Sequence, residues 1–230
     1  MHRLAGHERT VVVIERDEEA LGWAGDGVVP VIGDASDEAV AARAADAAQA
    51  AGTLAGWVNN AAVFRDASVH TSPVSEVRAL IAANLDLAVV GCAVAVRRFL
   101  EAGTGGAIVN ITSHQARRAV PGSLPYATAK AGVEGLTRAL AVEYGKHGIR
   151  VNAVAPGSVA TERYAALVTE RPEVEHEMAR LHPLGRVAAA DEVAAAVAYL
   201  LSPDASFVNG VTLPVDGGRS VLGLDPEMQE

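Results

Sequence analysis

Short runs of β-branched residues alternate with alanine-rich stretches along almost the whole chain. That alternation constrains the fold more than any other feature. "TVVVI" (10–14), "VVPVI" (28–32), the first part of "LAGWVNNAA" (54–62), "GAIVNITS" (106–113), "IRVNAVAPG" (149–157) and "GVTLPVDGG" (210–218) read as strands. "DEAVAARAADAAQAA" (37–51), residues 73–103, "YATAKAGVEGLTRALAVEYGKHG" (126–148) and "ADEVAAAVAYLLS" (190–202) read as helices, with 73–103 forming one helix or two. Strands that recur about every 30 residues with helices between them are βαβ units. Such units are right-handed, so the predicted fold is α/β, a doubly wound parallel sheet. No repeat, low-complexity tract or linker breaks the pattern, and residues 1–230 read as a single domain. The least regular stretch, Ser158 to Arg186, contains His176, His182 and Pro183 and reads as a lid or binding loop.

Composition supports this fold class and excludes several functions. Half of the residues are hydrophobic and only 4% are aromatic, so Ala, Val, Leu and Ile build the core. Asp and Glu number 28 against 19 Lys and Arg, a net charge of −9. No basic cluster exceeds a pair, as in Arg97-Arg98 and Arg117-Arg118, which argues against nucleic acid or an anionic membrane as partner. The single cysteine, Cys92, has no internal disulfide partner and is expected to pack as a small apolar residue. The longest apolar runs, near 87–96 and 193–201, fall short of the roughly 20 residues of a membrane span, and a soluble, cytoplasmic protein is expected. No H-E-x-x-H, Cys/His ligand spacing or G-x-S-x-G elbow occurs, so no metal site is predicted. Asp191 and Glu192 read as the acidic first turn of a helix.

The strongest chemical signal is "SHQARRAVPGSLPYATAK" (113–130). Tyr126 and Lys130 stand four residues apart on a predicted helix and so share a face. Ser113 ends the preceding strand, where parallel sheets place their ligands. A free tyrosine has a pKa of about 10 and is a poor base at neutral pH. A fixed ammonium beside it favours the phenolate, and a lowering of about 3 units needs about 4 kcal/mol of differential stabilisation. Ser113 is then placed to hold a substrate oxygen while Tyr126 gives or takes its proton.

Further signals flank this one. They are "NNAA" (59–62) after a strand, Asn84 within a helix, "PG" (156–157) after another strand and "VDGG" (215–218) near the end. In that order, from about Leu4 to Gly218, the set resembles the short-chain dehydrogenase/reductase family. The resemblance implies a Rossmann-like fold and an NAD(P)-dependent interconversion of an alcohol and a ketone by hydride transfer, acting on a small-molecule alcohol or carbonyl substrate. It makes Tyr126 the acid/base, Lys130 the residue that holds the nicotinamide ribose, Ser113 the group that orients the substrate oxygen, and Asn84 the support of a proton-relaying water. It sets Pro156, Gly157, Val159 and Thr161 around the nicotinamide, Asn59, Asn60 and Ala61 near the adenosine ribose, and Asp34 against adenine. Ala62 stands where the family has Gly. His114, Gln115 and the 158–186 loop are expected to shape the substrate pocket. The helices at 73–102 and 126–147 correspond to family subunit interfaces, so a homo-oligomer, dimer or tetramer, is implied.

Cofactor choice turns on the end of "TVVVI". Glu15 there can accept both adenosine ribose hydroxyls and repel a 2′-phosphate, which favours NAD, whereas the adjacent Arg16 leaves NADP possible. "LAGH" (4–7) reads as the end of a helix stopped by Gly6. By the same resemblance a first strand and a T-G-x-x-x-G-x-G loop precede it, and neither is present in this chain. The expected sheet therefore lacks a central strand, which leaves two unpaired edges across a gap. Three readings of this stay open: a start assigned too far downstream, a degenerate cofactor-free relative that serves as an interaction or structural protein, or cofactor-free proton chemistry at the Ser/Tyr/Lys site.

Overall fold

The computed structural model describes residues 9–223. The "LAGH" segment therefore lies outside the described residues. In chain order the elements are β1 (Val11–Glu15), β2 (Val28–Ile32), α1 (Glu38–Ala51), β3 (Gly56–Asn59), α2 (Val74–Ala102), β4 (Gly106–Ile111), α3 (Leu124–Tyr144) and β5 (Ile149–Pro156). There follow β6 (Val159–Ala160), α4 (Glu162–Glu170), α5 (Glu173–Arg180), β7 (Ala188–Ala189), α6 (Ala190–Leu201) and β8 (Thr212–Val215).

Every strand pairing is parallel. β3, β4, β5 and β8 form a four-stranded sheet in that order, β1 pairs with β2, and β6 with β7. Among the described residues no ladder joins β1 to β3. Side chains connect these two sheets. Ile14 of β1 and Ala41 and Ala45 of α1 pack into one apolar cluster with Cys92, Ala95 and Phe99 of α2 and with Ile108, Ile149 and Val151 of β4 and β5. The opposite face of the sheet has its own cluster, in which Val109, Val154 and Leu213 pack against Val197 and Leu200 of α6. The period-2 alternation of β4 sends Ile108 to one layer and Val109 to the other.

Local chemistry sets the helix ends. The Asp37 carboxylate accepts the Ala39 N–H at 2.8 Å and starts α1. α2 stops at Gly103, whose φ of +63° suits glycine. α2 is a single helix of 29 residues, long and apolar enough to cross a membrane, which corrects the estimate from its apolar runs. One face of it, with Val77, Leu80, Ala88, Cys92, Ala95 and Phe99, is instead buried, and the helix packs on α1, α3 and the sheet. The stretch from Ser158 to Arg186 is also more ordered than its sequence suggests. It holds α4 and α5, each under ten residues, and Pro172 stands at the start of the second.

Candidate active site

The site lies beyond the carboxyl ends of β3, β4, β5 and β8. β4 ends at Ile111, and the chain then turns sharply, because the Ser113 hydroxyl accepts the Gln115 N–H at 3.1 Å and caps a 3-10 turn over His114–Ala116. α3 begins at Leu124 with Pro125 in its first turn and brings Tyr126 and Lys130 onto one buried face. Tyr126 is 8% exposed, Lys130 3% and Ser113 7%. The Ser113 hydroxyl is near enough to Tyr126 to favour its phenolate. Thr112 fixes α3 from below, its hydroxyl donating to the Lys130 carbonyl at 3.0 Å.

Lys130 Nζ donates to the Ile111 carbonyl at 2.8 Å and lies 5.5 Å from the Tyr126 ring centroid. Burial lowers the ammonium to about 8. Burial also pushes the Tyr126 phenol above its usual value, while Ser113 and the charge of Arg163 act in the opposite direction. Lys130 by itself does not lower the phenol in this arrangement. The loss of hydration outweighs the neighbouring charge, because the ammonium faces a backbone carbonyl rather than the phenol oxygen.

Asn84 is buried, and its amide is bound to the segment that follows β3. It accepts the Val63 N–H at 2.9 Å and donates to the Val63 and Leu80 carbonyls, both at 3.1 Å. This side chain thereby fixes the strand-end turn beside the site. Asn59 also points into the protein. It accepts from Trp57 Nε1 and donates to Asn110 Oδ1, each at 2.8 Å, and Asn110 continues to Thr137 of α3. Cys92 belongs to the same network, its Sγ accepting from Asn59 Nδ2 at 3.2 Å, and burial raises the thiol to about 12. Cys92 is thus more than the apolar filler expected of it. Asn60 and Ala61 are exposed at the carboxyl end of β3.

Pro156 ends β5, and its carbonyl faces His114 Nδ1 at 3.3 Å. Gly157 is required by close approach, since a Cβ there would come within 2.9 Å of both Asp216 Cα and His182 Nε2. Val159 is half-buried in β6, and Thr161 caps α4 by accepting the Tyr164 N–H at 3.2 Å. At the other end, one Glu15 oxygen accepts the Arg16 and Asp17 N–H groups at 2.7 and 3.1 Å. Asp34 accepts the Ser36 N–H and hydroxyl at 2.8 and 2.7 Å, and these bonds hold its carboxyl below the usual value. Arg16 lies 3.6 Å from Asp34.

Two residues went unnoticed in the sequence. Phe64 is 58% exposed yet lies against the Tyr126 ring at 4.7 Å between centroids, and Arg163 of α4 covers Phe64 at 5.1 Å. The position of Phe64 just after the "NNAA" strand end was the available signal.

A dinucleotide fits part of this arrangement. Lys130 is a buried ammonium with three donors, and among the described residues only the Ile111 carbonyl accepts from it, so its other N–H groups suit ribose hydroxyls. The carboxylates of Glu15 and Asp34 suit the hydroxyls of a second ribose. No glycine-rich turn opening a helix at a strand end is found among the described residues.

A parallel α/β sheet with a buried Ser/Tyr/Lys group at its carboxyl edge defines a class of alcohol- and carbonyl-handling oxidoreductases. Residues 3–220 match the family described as enoyl-(acyl carrier protein) reductase. The chain is 38% identical over 220 residues to the inactive 2-(S)-hydroxypropyl-CoM dehydrogenase 2 of Xanthobacter autotrophicus, covering 92% of this chain and 95% of that protein. It is 42% identical over 206 residues to the cis-4-hydroxycyclohexanecarboxylate dehydrogenase of Sinomonas cyclohexanicum, covering 88% and 81%. The gluconate 5-dehydrogenase of Burkholderia cenocepacia, solved with NADP and tartrate, superposes with a TM-score of 0.82 at 31% identity, covering 93% of this chain and 86% of that one. The chain belongs to the short-chain dehydrogenase/reductase family and is an oxidoreductase of the alcohol/carbonyl kind.

Proposed function

We propose that this protein interconverts a secondary alcohol and its ketone with Tyr126 as the acid/base and NAD as the preferred cofactor. The observation that carries the reading is the burial of Ser113, Tyr126 and Lys130 together, with Lys130 Nζ 5.5 Å from the Tyr126 ring. A bound nicotinamide supplies the hydride acceptor or donor. The protein supplies the rest. Ser113 donates to the substrate oxygen and fixes it within reach of Tyr126 Oη. Tyr126 takes the hydroxyl proton in oxidation and returns it in reduction. Lys130 binds ribose hydroxyls through its spare N–H groups and favours the phenolate once its charge is held near the phenol oxygen. Phe64 and Arg163 close over Tyr126 and exclude water, which strengthens each of these interactions.

The NAD preference is supported by the two carboxylates at the ends of β1 and β2. Glu15 and Asp34 flank Arg16, so the net charge at this edge is negative, and a 2′-phosphate is repelled. Exposed Val89 on α2 and Val142 on α3, the latter 85% exposed, support assembly of like subunits through these helices, which light scattering checks. The test of the main reading is NADH formation across a panel of secondary alcohols. Turnover with NAD well above that with NADP supports it, and no turnover with any of the panel opposes it.

A further inference from the structure

A cleft of about 200 Å³ opens at the turn that follows Ser113 and is lined by His114, Arg118, Val120, Leu181, Arg219 and Leu222. Its three polar residues are incompletely satisfied. His114 is 8% exposed, and its Nδ1 faces the Pro156 carbonyl at 3.3 Å. A carbonyl only accepts, so Nδ1 carries the proton and Nε2 of the neutral ring presents a lone pair. That Nε2 is buried and has no partner. Burial, aided by the charge of Arg219, lowers the imidazole to about 4, so the lone pair is available at neutral pH.

Neither arginine is in an ion pair, although the charge of Asp216 acts on Arg219. Arg118 donates to the Leu222 carbonyl at 2.8 Å and Arg219 to the Ser158 hydroxyl at 2.7 Å, both neutral acceptors. Among the described residues neither pairs with a carboxylate, whereas the adjacent Arg117 binds Glu134 at 3.1 Å. The nearest acid in the segment, Asp216, accepts from the Gly218 and Ser220 N–H groups at 3.0 and 2.8 Å. A guanidinium held by one bond keeps further donors for a carboxylate.

We propose that this cleft is the distal substrate subsite and takes the carboxylate end of a hydroxylated carboxylic acid, the acid on Arg118 and Arg219 and a substrate hydroxyl donating to His114 Nε2. The inference rests on the oxidoreductase reading for the term substrate, since the cleft shares with that site only the turn in which His114 follows Ser113. Binding of an acid by the cleft does not depend on Tyr126.

The test is calorimetric titration of the full chain with gluconate, its neutral gluconamide and inorganic phosphate, in wild type, Arg118→Ala and His114→Asn. Arg118 is exposed, so its truncation leaves the core intact. The expected result is saturable gluconate binding, at least tenfold weaker for gluconamide and at least tenfold weaker in Arg118→Ala, with a smaller loss in His114→Asn. Equal binding of gluconate and gluconamide, or no saturation by gluconate, overturns the proposal. Phosphate binding as tightly as gluconate and insensitive to His114→Asn marks a general anion site and also overturns it. Repeating the titration in Tyr126→Phe separates the two readings. Arginine-dependent gluconate binding without NAD-linked turnover in wild type sinks the oxidoreductase reading alone. Turnover of neutral alcohols with no preference for acids sinks the subsite alone.

Discussion

Lys130 Nζ donates to the Ile111 carbonyl at 2.8 Å and lies 5.5 Å from the Tyr126 ring centroid. In this arrangement the ammonium is held by the end of β4 and not by the phenol. Burial then works against ionisation of both groups, raising the phenol and lowering the ammonium. Burial alone thus keeps the phenol protonated at neutral pH, and positive charge held beside Tyr126 favours its phenolate.

Tyr126→Phe removes one oxygen and leaves the ring that packs on Phe64. Turnover should fall by about 10² to 10⁴, the usual contribution of a positioned acid/base. NADH affinity should stay within about threefold of wild type. Steady-state kinetics and a fluorescence titration of the same preparation check both, and retained turnover contradicts the assignment.

Lys130 gives the fold a signed pH dependence. Its folded value of about 8 lies below the ordinary 10.5, so the unfolded chain binds more protons between those limits. The contribution of Lys130 to stability therefore rises as pH increases from about 8 to 10.5. Urea denaturation of wild type and Lys130→Met across this range should show the wild type gaining relative to the variant. A difference that stays constant with pH contradicts the burial of a charged lysine.

His114 acts in the acid range with the same sign. Its value of about 4 lies below the ordinary 6.5, so stability falls as pH drops through this window. At most about 3.5 kcal/mol is lost, from about 1.4 kcal/mol per unit. His114→Asn should flatten the profile between pH 6.5 and 4. A profile identical to wild type places the imidazole in water.

Asn84→Ala deletes both bonds to the Val63 backbone and leaves buried donors and acceptors unpaired. The expected cost is about 2–3 kcal/mol, a fall in Tm of roughly 5–10 °C for a chain this size. Thermal denaturation measures it, and an unchanged Tm shows that the turn after β3 stands without the amide.

How far the sequence reveals this molecule depends on the range of the forces involved. β2 coincides with "VVPVI" and α1 with the alanine-rich run after Asp37, because β-branched runs, helix propensity and caps act within a few residues. α4 and α5 were missed. They are too short to show a long apolar stripe, and their Thr161 cap and Pro172 start resemble loop chemistry. The Ser113, Tyr126 and Lys130 group was legible because one strand end and one helix turn fix it. The Phe64–Tyr126 contact and the Asn59–Asn110–Thr137 chain were not, since each joins elements far apart in sequence. Lys130's aim at Ile111 was hidden for the same reason. Spacing put the lysine on the right face of α3, but packing chose its partner.

The central claim is that these residues serve a nicotinamide cofactor, with NAD preferred. The most direct measurement is a fluorescence titration of the 230-residue chain with NADH and with NADPH. Saturable NADH binding, with NADPH at least tenfold weaker, is the predicted result. No saturation by either dinucleotide contradicts the claim, and tighter binding of NADPH contradicts the reading of Glu15, Asp34 and Arg16.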